Sequence, residues 1–222
     1  MPRWLLATLL VLLPLAAHAQ TDQQSLVDRA TLAVQDMFGP TAASAQPREL
    51  LIHAKGALIC PRIFKAGFIL GGQGGDCVLV SRGPHGWSSP AFYTMGSGSI
   101  GLQIGVQDSE LSLMVMTERG LQAVLDSQFK IGGDAGIAVA TLGAGVEGDT
   151  TTALRADIVA FAKSRGLYAG VSLQGSIISS KSDWDQIYYG RPLAAQQIVN
   201  QGEGNNPGSA PLREMLTRFA GG

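Results

Sequence analysis

The chain is poor in the residues that metal and acid–base chemistry use. It has two cysteines and three histidines in 222 residues, with no CxxC or HxxxH spacing, so a metal site is not expected. Lys and Arg number 16 against 17 Asp and Glu, which argues against a strongly basic nucleic-acid binder. No G-x-S-x-G nucleophile elbow is present. A Ser/His/Asp triad would have to use His53, on a short helical segment, or His85, in a Pro/Gly turn. The acids Asp108, Glu110, Asp134, Glu147 and Asp149 are scattered and define no carboxylate pair for glycoside chemistry. Nothing argues for catalysis, so the expectation is a non-enzyme with no cofactor.

Only one long apolar run exists. Trp4 to Ala17 follows a basic Met1-Pro2-Arg3 start and precedes the small-x-small triplet Ala17-His18-Ala19. This is the layout of a secretory signal peptide over residues 1–19, cleaved between Ala19 and Gln20. The run is shorter than the roughly 20 apolar residues of a spanning helix. Export, with a periplasmic location, is therefore expected, and any membrane contact of residues 20–222 would be peripheral. Losing Arg3 leaves 15 basic against 17 acidic residues, a net charge of −2. Attraction to anionic head groups must then come from a local cluster.

Glycine is abundant, with 29 in the chain and eighteen of them between Gly67 and Gly148. They follow no G-X-Y period and alternate with apolar runs. Tight turns, bulges and curved strands are the expected uses. Two stretches match G-x-G-x-x-G, Gly96 to Gly101 and Gly143 to Gly148. A dinucleotide site needs a strand before such a motif and a helix opening in it. The first runs into period-two alternation, and the second into Thr150-Thr151-Thr152 and further alternation. Neither reads as a nucleotide site.

Residues 20–222 read as one domain. Thr21 to Phe38 reads as a helix ended by Gly39-Pro40. Its apolar stripe either docks on a sheet or lies on a membrane, though it lacks a basic polar face. A short helix is expected over Arg48 to Ala54. Gly56 to Cys60 reads as a strand ending at Pro61. Ala66 to Gly72 and Cys77 to Val80 read as a hairpin turning at Gln73-Gly74-Gly75. Ser99 to Val106 alternates as one strand, and Leu111 to Met116 is another. Thr117 is placed to cap a helix through Asp126. Leu154 to Lys163 and Leu167 to Leu173 read as a second hairpin about Ser164-Arg165-Gly166. Ser209 and Pro211 open a C-terminal helix ending near Ala220. The fold class is α+β: a curved, barrel-like, mainly antiparallel sheet with N-terminal, middle and C-terminal helices.

Cys60 and Cys77 either form a disulfide, stabilising by about 3 kcal/mol in the chain-entropy model, or stay separate buried thiols. Export favours the bond. Lys55, Arg62, Phe64, Lys65 and Phe68 group cations with aromatic rings. They suit a phospholipid interface, or else the two rings are core and the cations merely solvated.

A family pattern runs through these residues. It begins with Ala54-Lys55-Gly56-Ala57-Leu58-Ile59-Cys60-Pro61, Lys65-Ala66-Gly67-Phe68 and Gly71-Gly72. It continues in Trp87-Ser88-Ser89-Pro90-Ala91-Phe92, Gly101-Leu102-Gln103-Ile104-Gly105 and Phe129-Lys130-Ile131-Gly132-Gly133-Asp134-Ala135. Ser164-Arg165-Gly166-Leu167-Tyr168-Ala169-Gly170-Val171-Ser172-Leu173 and Tyr188-Tyr189-Gly190 complete it. In this order the chain resembles the SYLF-domain family from about Leu26 to Gly190. The resemblance implies a lipid-binding module. In eukaryotic members it also implies roles in actin and membrane remodelling. Export separates this chain from cytosolic actin, so the implied partner narrows to anionic phospholipid or a membrane surface. The alternative is an envelope structural or interaction protein with no lipid ligand. Asp185 stands where the family pattern has Asn.

Overall fold

A computed structural model describes residues 21–41, 45–67, 70–100, 105–134, 136–141, 156–165, 173 and 175–221. The expected signal peptide with Ala19 and Gln20, Phe68, the 143–148 glycine motif and most of the Leu167 to Leu173 run lie outside these residues.

Helix α1 (Asp22–Phe38) begins where the Thr21 hydroxyl accepts from the Gln24 amide and stops at Gly39, whose N–H still reaches the Gln35 carbonyl. Its stripe of Leu26, Ala30, Ala33, Val34 and Met37 is buried. It packs on β1 (Gly56–Gly67) and on the C-terminal helix α6 (Ala210–Ala220). The stripe therefore docks on the sheet. Helix α2 (Ala45–His53) packs beside α6 on the same layer.

The remaining strands are β2 (Leu70–Gly83), β3 (Gly86–Trp87), β4 (Ala91–Ile100), β5 (Gly105–Val115), β6 (Gln128–Lys130), β7 (Ile137–Thr141), β8 (Ile158–Arg165) and β9 (Ile177–Ser180). They form a curled half-barrel in the order β6-β9-β4-β2-β1-β5-β8-β7, with β3 paired to β2. The expected α+β class with a curved, mainly antiparallel sheet is what forms. Among the described strands, the pair β7–β8 is parallel and the others are antiparallel. The sheet is buried on both faces. Ala57, Ile59, Val78, Val80 and Phe92 meet α1, α2, α6 and α4 (Ser182–Tyr189). Leu58, Cys60, Cys77, Leu79 and Tyr93 fill the concave side with α3 (Glu118–Leu125) and α5 (Ala195–Val199).

Four local expectations are corrected. Pro61 does not end β1, which continues to Gly67. Gly74 and Gly75 lie inside β2 and not in a turn. The Ser99 to Val106 alternation is split between the end of β4 and the start of β5. Ser164 and Arg165 belong to strand β8, where they pair with Ser109 and Asp108. Alternation with small residues marks strand character but not where one strand stops. Helices α4 and α5 were not anticipated, being short and without a long apolar period.

The strand passes Pro61 by means of a bulge. Ile59 and Phe64 of β1 face Val78 and Gly74 of β2, five steps against four. Cys60 and Ile63 face Leu111 and Ser109 of β5, three steps against two. One extra residue on the central strand is thus unmatched by either neighbour, and a proline with no N–H is tolerated there. The Arg62 carbonyl bulges over Gly75, where an added Cβ would lie 2.1 Å from that oxygen. Beside the bulge, Cys60 and Cys77 form a disulfide, both fully buried on the concave side.

Two polar knots fix the helices. Thr117 caps α3 by accepting from Gly120 N–H and donates its own hydroxyl to Asp157 at 2.7 Å. Asp157 also takes the Arg119 guanidinium and the Gly136 N–H. The Arg119 and Thr117 hydrogen bonds hold its carboxyl down at about 2, below the usual carboxylate range. Asp185 is the opposite case. It is 1% exposed. One oxygen accepts from Phe92 N–H at 2.9 Å, and the other has no hydrogen-bond partner among the described residues. Burial pushes its carboxyl up to about 7, and neighbouring Asp183 adds to the rise. Lys181, the residue before its helix, is paired with Asp76 and lies over the Trp184 ring.

Two outcomes are expected. Gly75→Ala should lose about 1–3 kcal/mol in chemical denaturation by overpacking the bulge. Gly98→Ala, with nothing within 4 Å of its Cβ, should stay within about 1 kcal/mol of the parent. For Asp185, the folded state holds a proton that the unfolded state releases between about pH 4 and pH 7. Stability should therefore fall as pH rises through that window. Asp185→Asn should flatten this slope in thermal melts from pH 4 to 8 and be the more stable protein at pH 8.

Candidate functional site

The bulge decides which side chains the far end of the sheet presents. Before it, Leu58 and Cys60 face the concave side; after it, Ile63 does so, and Lys65 follows by alternation. Arg62, Phe64 and Ala66 are thereby turned to the helix-bearing face. Their cross-strand partners there are Gly74 and Gly72 on β2, followed by Gly96 and Gly98 on β4. On the other flank they are Asp108 and Val106 of β5. No helix among the described residues covers Phe64 or Val106 fully. Phe64 is 45% and Val106 65% exposed, standing beside four positions of bare backbone. The reverse side carries Lys65 opposite Gln73 and Gln107.

Of the five residues expected to form one cluster, the four that are described are therefore divided. Phe64 and Lys65 share the glycine-rich end but on opposite faces. Arg62 shares the face of Phe64, and its Nε is paired with Asp108 at 2.8 Å. It lines a cavity of about 550 Å³ with Arg29, Leu32, Asp36 and Glu110. Lys55 precedes β1, ten residues from Lys65 and hence roughly 30 Å along the strand direction. It faces Glu118 at 3.8 Å, an exposed pair of little energetic weight. Phe68 lies outside the described residues.

A second cationic surface was not visible in the sequence. Arg82 donates to the Ile52 carbonyl and stacks over Trp87, 5.0 Å from the ring centre. Arg48 lies over Phe219, and Arg213 donates through Nε to the Trp87 carbonyl at 2.8 Å. None of the three forms an ion pair among the described residues. They come from α2, β2 and α6, so no local run of basic residues signals them. The fold alone brings them together.

Among the described residues no group of three His, Cys, Asp or Glu is placed to hold a metal. No described helix is long and apolar enough to cross a membrane.

Comparison with known proteins shows the family. A family model described as "Ysc84: Las17-binding protein actin regulator" matches residues 96–219, more than half of the chain. The chain belongs to the Ysc84, or SYLF-domain, family. The match runs from the glycine-rich end of β4 to α6, beyond Tyr188-Tyr189-Gly190. The chain is 32% identical over 176 residues to "SH3 domain-containing YSC84-like protein 1" of Homo sapiens, covering 78% of this chain and 51% of that protein. It is 27% identical over 208 residues to "Protein YSC84" of Saccharomyces cerevisiae, covering 92% and 44%. The chain thus spans about half the length of the curated relatives it matches. Their names specify an SH3 domain or the family, and no enzymatic activity.

Proposed function

We propose that this Ysc84-family chain is an exported domain that binds anionic phospholipid peripherally at the cell envelope. The observation that carries the reading is the uncovered end of the sheet, where Phe64 and Val106 project beside bare glycine backbone with Lys65 behind them. Exposed large apolar side chains on a rigid platform suit the head-group level of a bilayer. Fully burying each is worth about 1.5–3 kcal/mol, and a lysine near an anionic surface adds about 1 kcal/mol. These terms support reversible, salt-sensitive attachment and not permanent anchoring. The actin role in the family's description is not adopted, because the expected export would keep this chain from cytosolic actin.

Co-sedimentation with vesicles tests it. The protein without residues 1–19 should pellet with phosphatidylglycerol-containing vesicles and be released by salt. Phe64→Ala should weaken binding about tenfold or more, a change of 1.4 kcal/mol or above. Lys65→Glu should weaken binding to anionic vesicles alone, and Lys55→Glu, at the far end of β1, should leave it unchanged. Parent-like binding by both Phe64→Ala and Lys65→Glu would overturn this placement. No vesicle binding, together with a specific protein crosslink, would favour the structural or interaction role.

A further inference from the structure

The arginine surface borders two adjoining cavities that the lipid-binding reading leaves unused. They measure about 520 and 530 Å³ and share His85, Gly86, Trp87 and Arg213. This is within the size range of small-molecule sites. The first is walled by the β2–β3 turn, by Ser88 and Ser89, and by the segment 199–205 that follows α5.

The 199–205 segment is held in place from several directions. The Ser81 hydroxyl donates to the Val199 carbonyl. Gly202 adopts φ +70°, the left-handed region that glycine enters freely. Gly204 sits so close to Ile198 and the Tyr189 ring that a Cβ would come within 2.9 and 3.0 Å of them. Asn206 donates to the Tyr188 carbonyl at 2.8 Å. The wall is thus built before any ligand arrives, which lowers the ordering cost of binding.

The chemistry of the walls is selective. The segment's carboxylate, Glu203, does not line the cavity. It is engaged with Arg191 at 3.5 Å and with the Gln197 side chain. Asn200, Gln201 and Asn205 line the cavity instead, with amide groups that both donate and accept. Opposite them, Arg213 is oriented through its Nε bond to the Trp87 carbonyl. Its two terminal amino groups have no protein acceptor among the described residues. A planar guanidinium fixed in this way, with no carboxylate among the described lining residues, presents the fork geometry that a phosphate oxygen pair accepts. In the neighbouring cavity Arg218 and Thr217 add donors, and Glu214 is an acid on its lining.

We propose that the first cavity binds the phosphate of a small hydroxylated phosphate ester. Arg213 takes the phosphate, and Asn200 and Asn205 take the hydroxyls. The same chemistry is offered by a free ester such as glycerol 3-phosphate and by the headgroup of a glycerophospholipid. The site does not depend on the Phe64 end of the sheet.

Calorimetric titration of the mature protein with glycerol 3-phosphate at constant ionic strength tests the site. Saturable binding is expected, with glycerol and chloride giving none. Arg213→Gln should weaken it about tenfold or more, as loss of a charge-assisted pair does. Arg213 also bonds to Trp87, so Asn200→Asp serves as a second variant. It places a carboxylate on an exposed cavity position and should weaken binding while leaving the thermal melt unchanged. Competition by phosphatidylglycerol vesicles in a Phe64→Ala background identifies the lipid headgroup as the source, and saturable binding without competition identifies a soluble ester. Either result supports the site. Absence of saturable binding to both probes, or parent-like binding by both variants, overturns it. Vesicle attachment through Phe64 would still stand or fall on its own co-sedimentation result.

Discussion

A single unmatched residue in β1 sets the arrangement of everything at the far end of the sheet. β1 is central, hydrogen-bonded to β2 and β5 along most of its length. An extra residue in an edge strand would disturb one ladder; here it interrupts two. Three features make this tolerable. Pro61 has no N–H to leave unpaired. Gly75 leaves room for the Arg62 carbonyl, which any Cβ would occupy. The Cys60–Cys77 disulfide joins the two strands next to the disturbance. The three act together: the glycine lets the backbone approach, the proline removes a donor, and the covalent bond limits how far the strands can part.

The consequence is an exchange of faces. Side chains alternate with a period of two, so one extra residue reverses every later position. Without the bulge, Phe64 would point into the concave core and Lys65 onto the helix-bearing face. With it, Ile63 fills the core and Phe64 stands outside. The glycines of β2 and β4 then matter by what they omit. Gly72, Gly74, Gly96 and Gly98 face the same side as Phe64, so the β2 and β4 positions beside the ring carry no side chain to cover it. An exposed aromatic residue is ordinary on a protein surface. One placed by a bulge beside two strands cleared by glycine is the less ordinary observation.

Much of this was legible in the sequence, and the limits have physical causes. The long amphipathic helix, the Thr117 cap, the C-terminal helix and the α+β class follow from period and capping chemistry, which are local. The Cys60–Cys77 bond was one of two readings, and the pairing of β1 with β2 decides it. The bulge was hidden because proline and glycine usually punctuate strands, so Pro61 read as an end and Gly75 as a turn. The four described members of the expected lipid cluster are divided for a different reason. Residues adjacent in sequence on a strand alternate in space, and Lys55, near in the motif, is distant along an extended chain. Distance in sequence misleads in the other direction for Arg48, Arg82 and Arg213, which only the packing of α2 and α6 on the sheet brings to one surface.

The two surfaces differ in how their charges are held, and this bears on what each can bind. Arg62 is already paired with Asp108, so an anion approaching the Phe64 face must compete with a carboxylate. That leaves apolar burial as the main favourable term there, with Lys65 as a modest electrostatic addition. Around Trp87 the arginines are oriented by aromatic rings and backbone carbonyls, which fix a guanidinium without neutralising its charge. A cation held by neutral partners keeps its full attraction for an anion and has little orientational freedom left to lose. The apolar end of the sheet is therefore suited to a surface, and the arginine cavity to a discrete oxyanion. A chain with a net charge of only −1 can sustain both, because what matters is where its cations lack carboxylate partners and not how many it has.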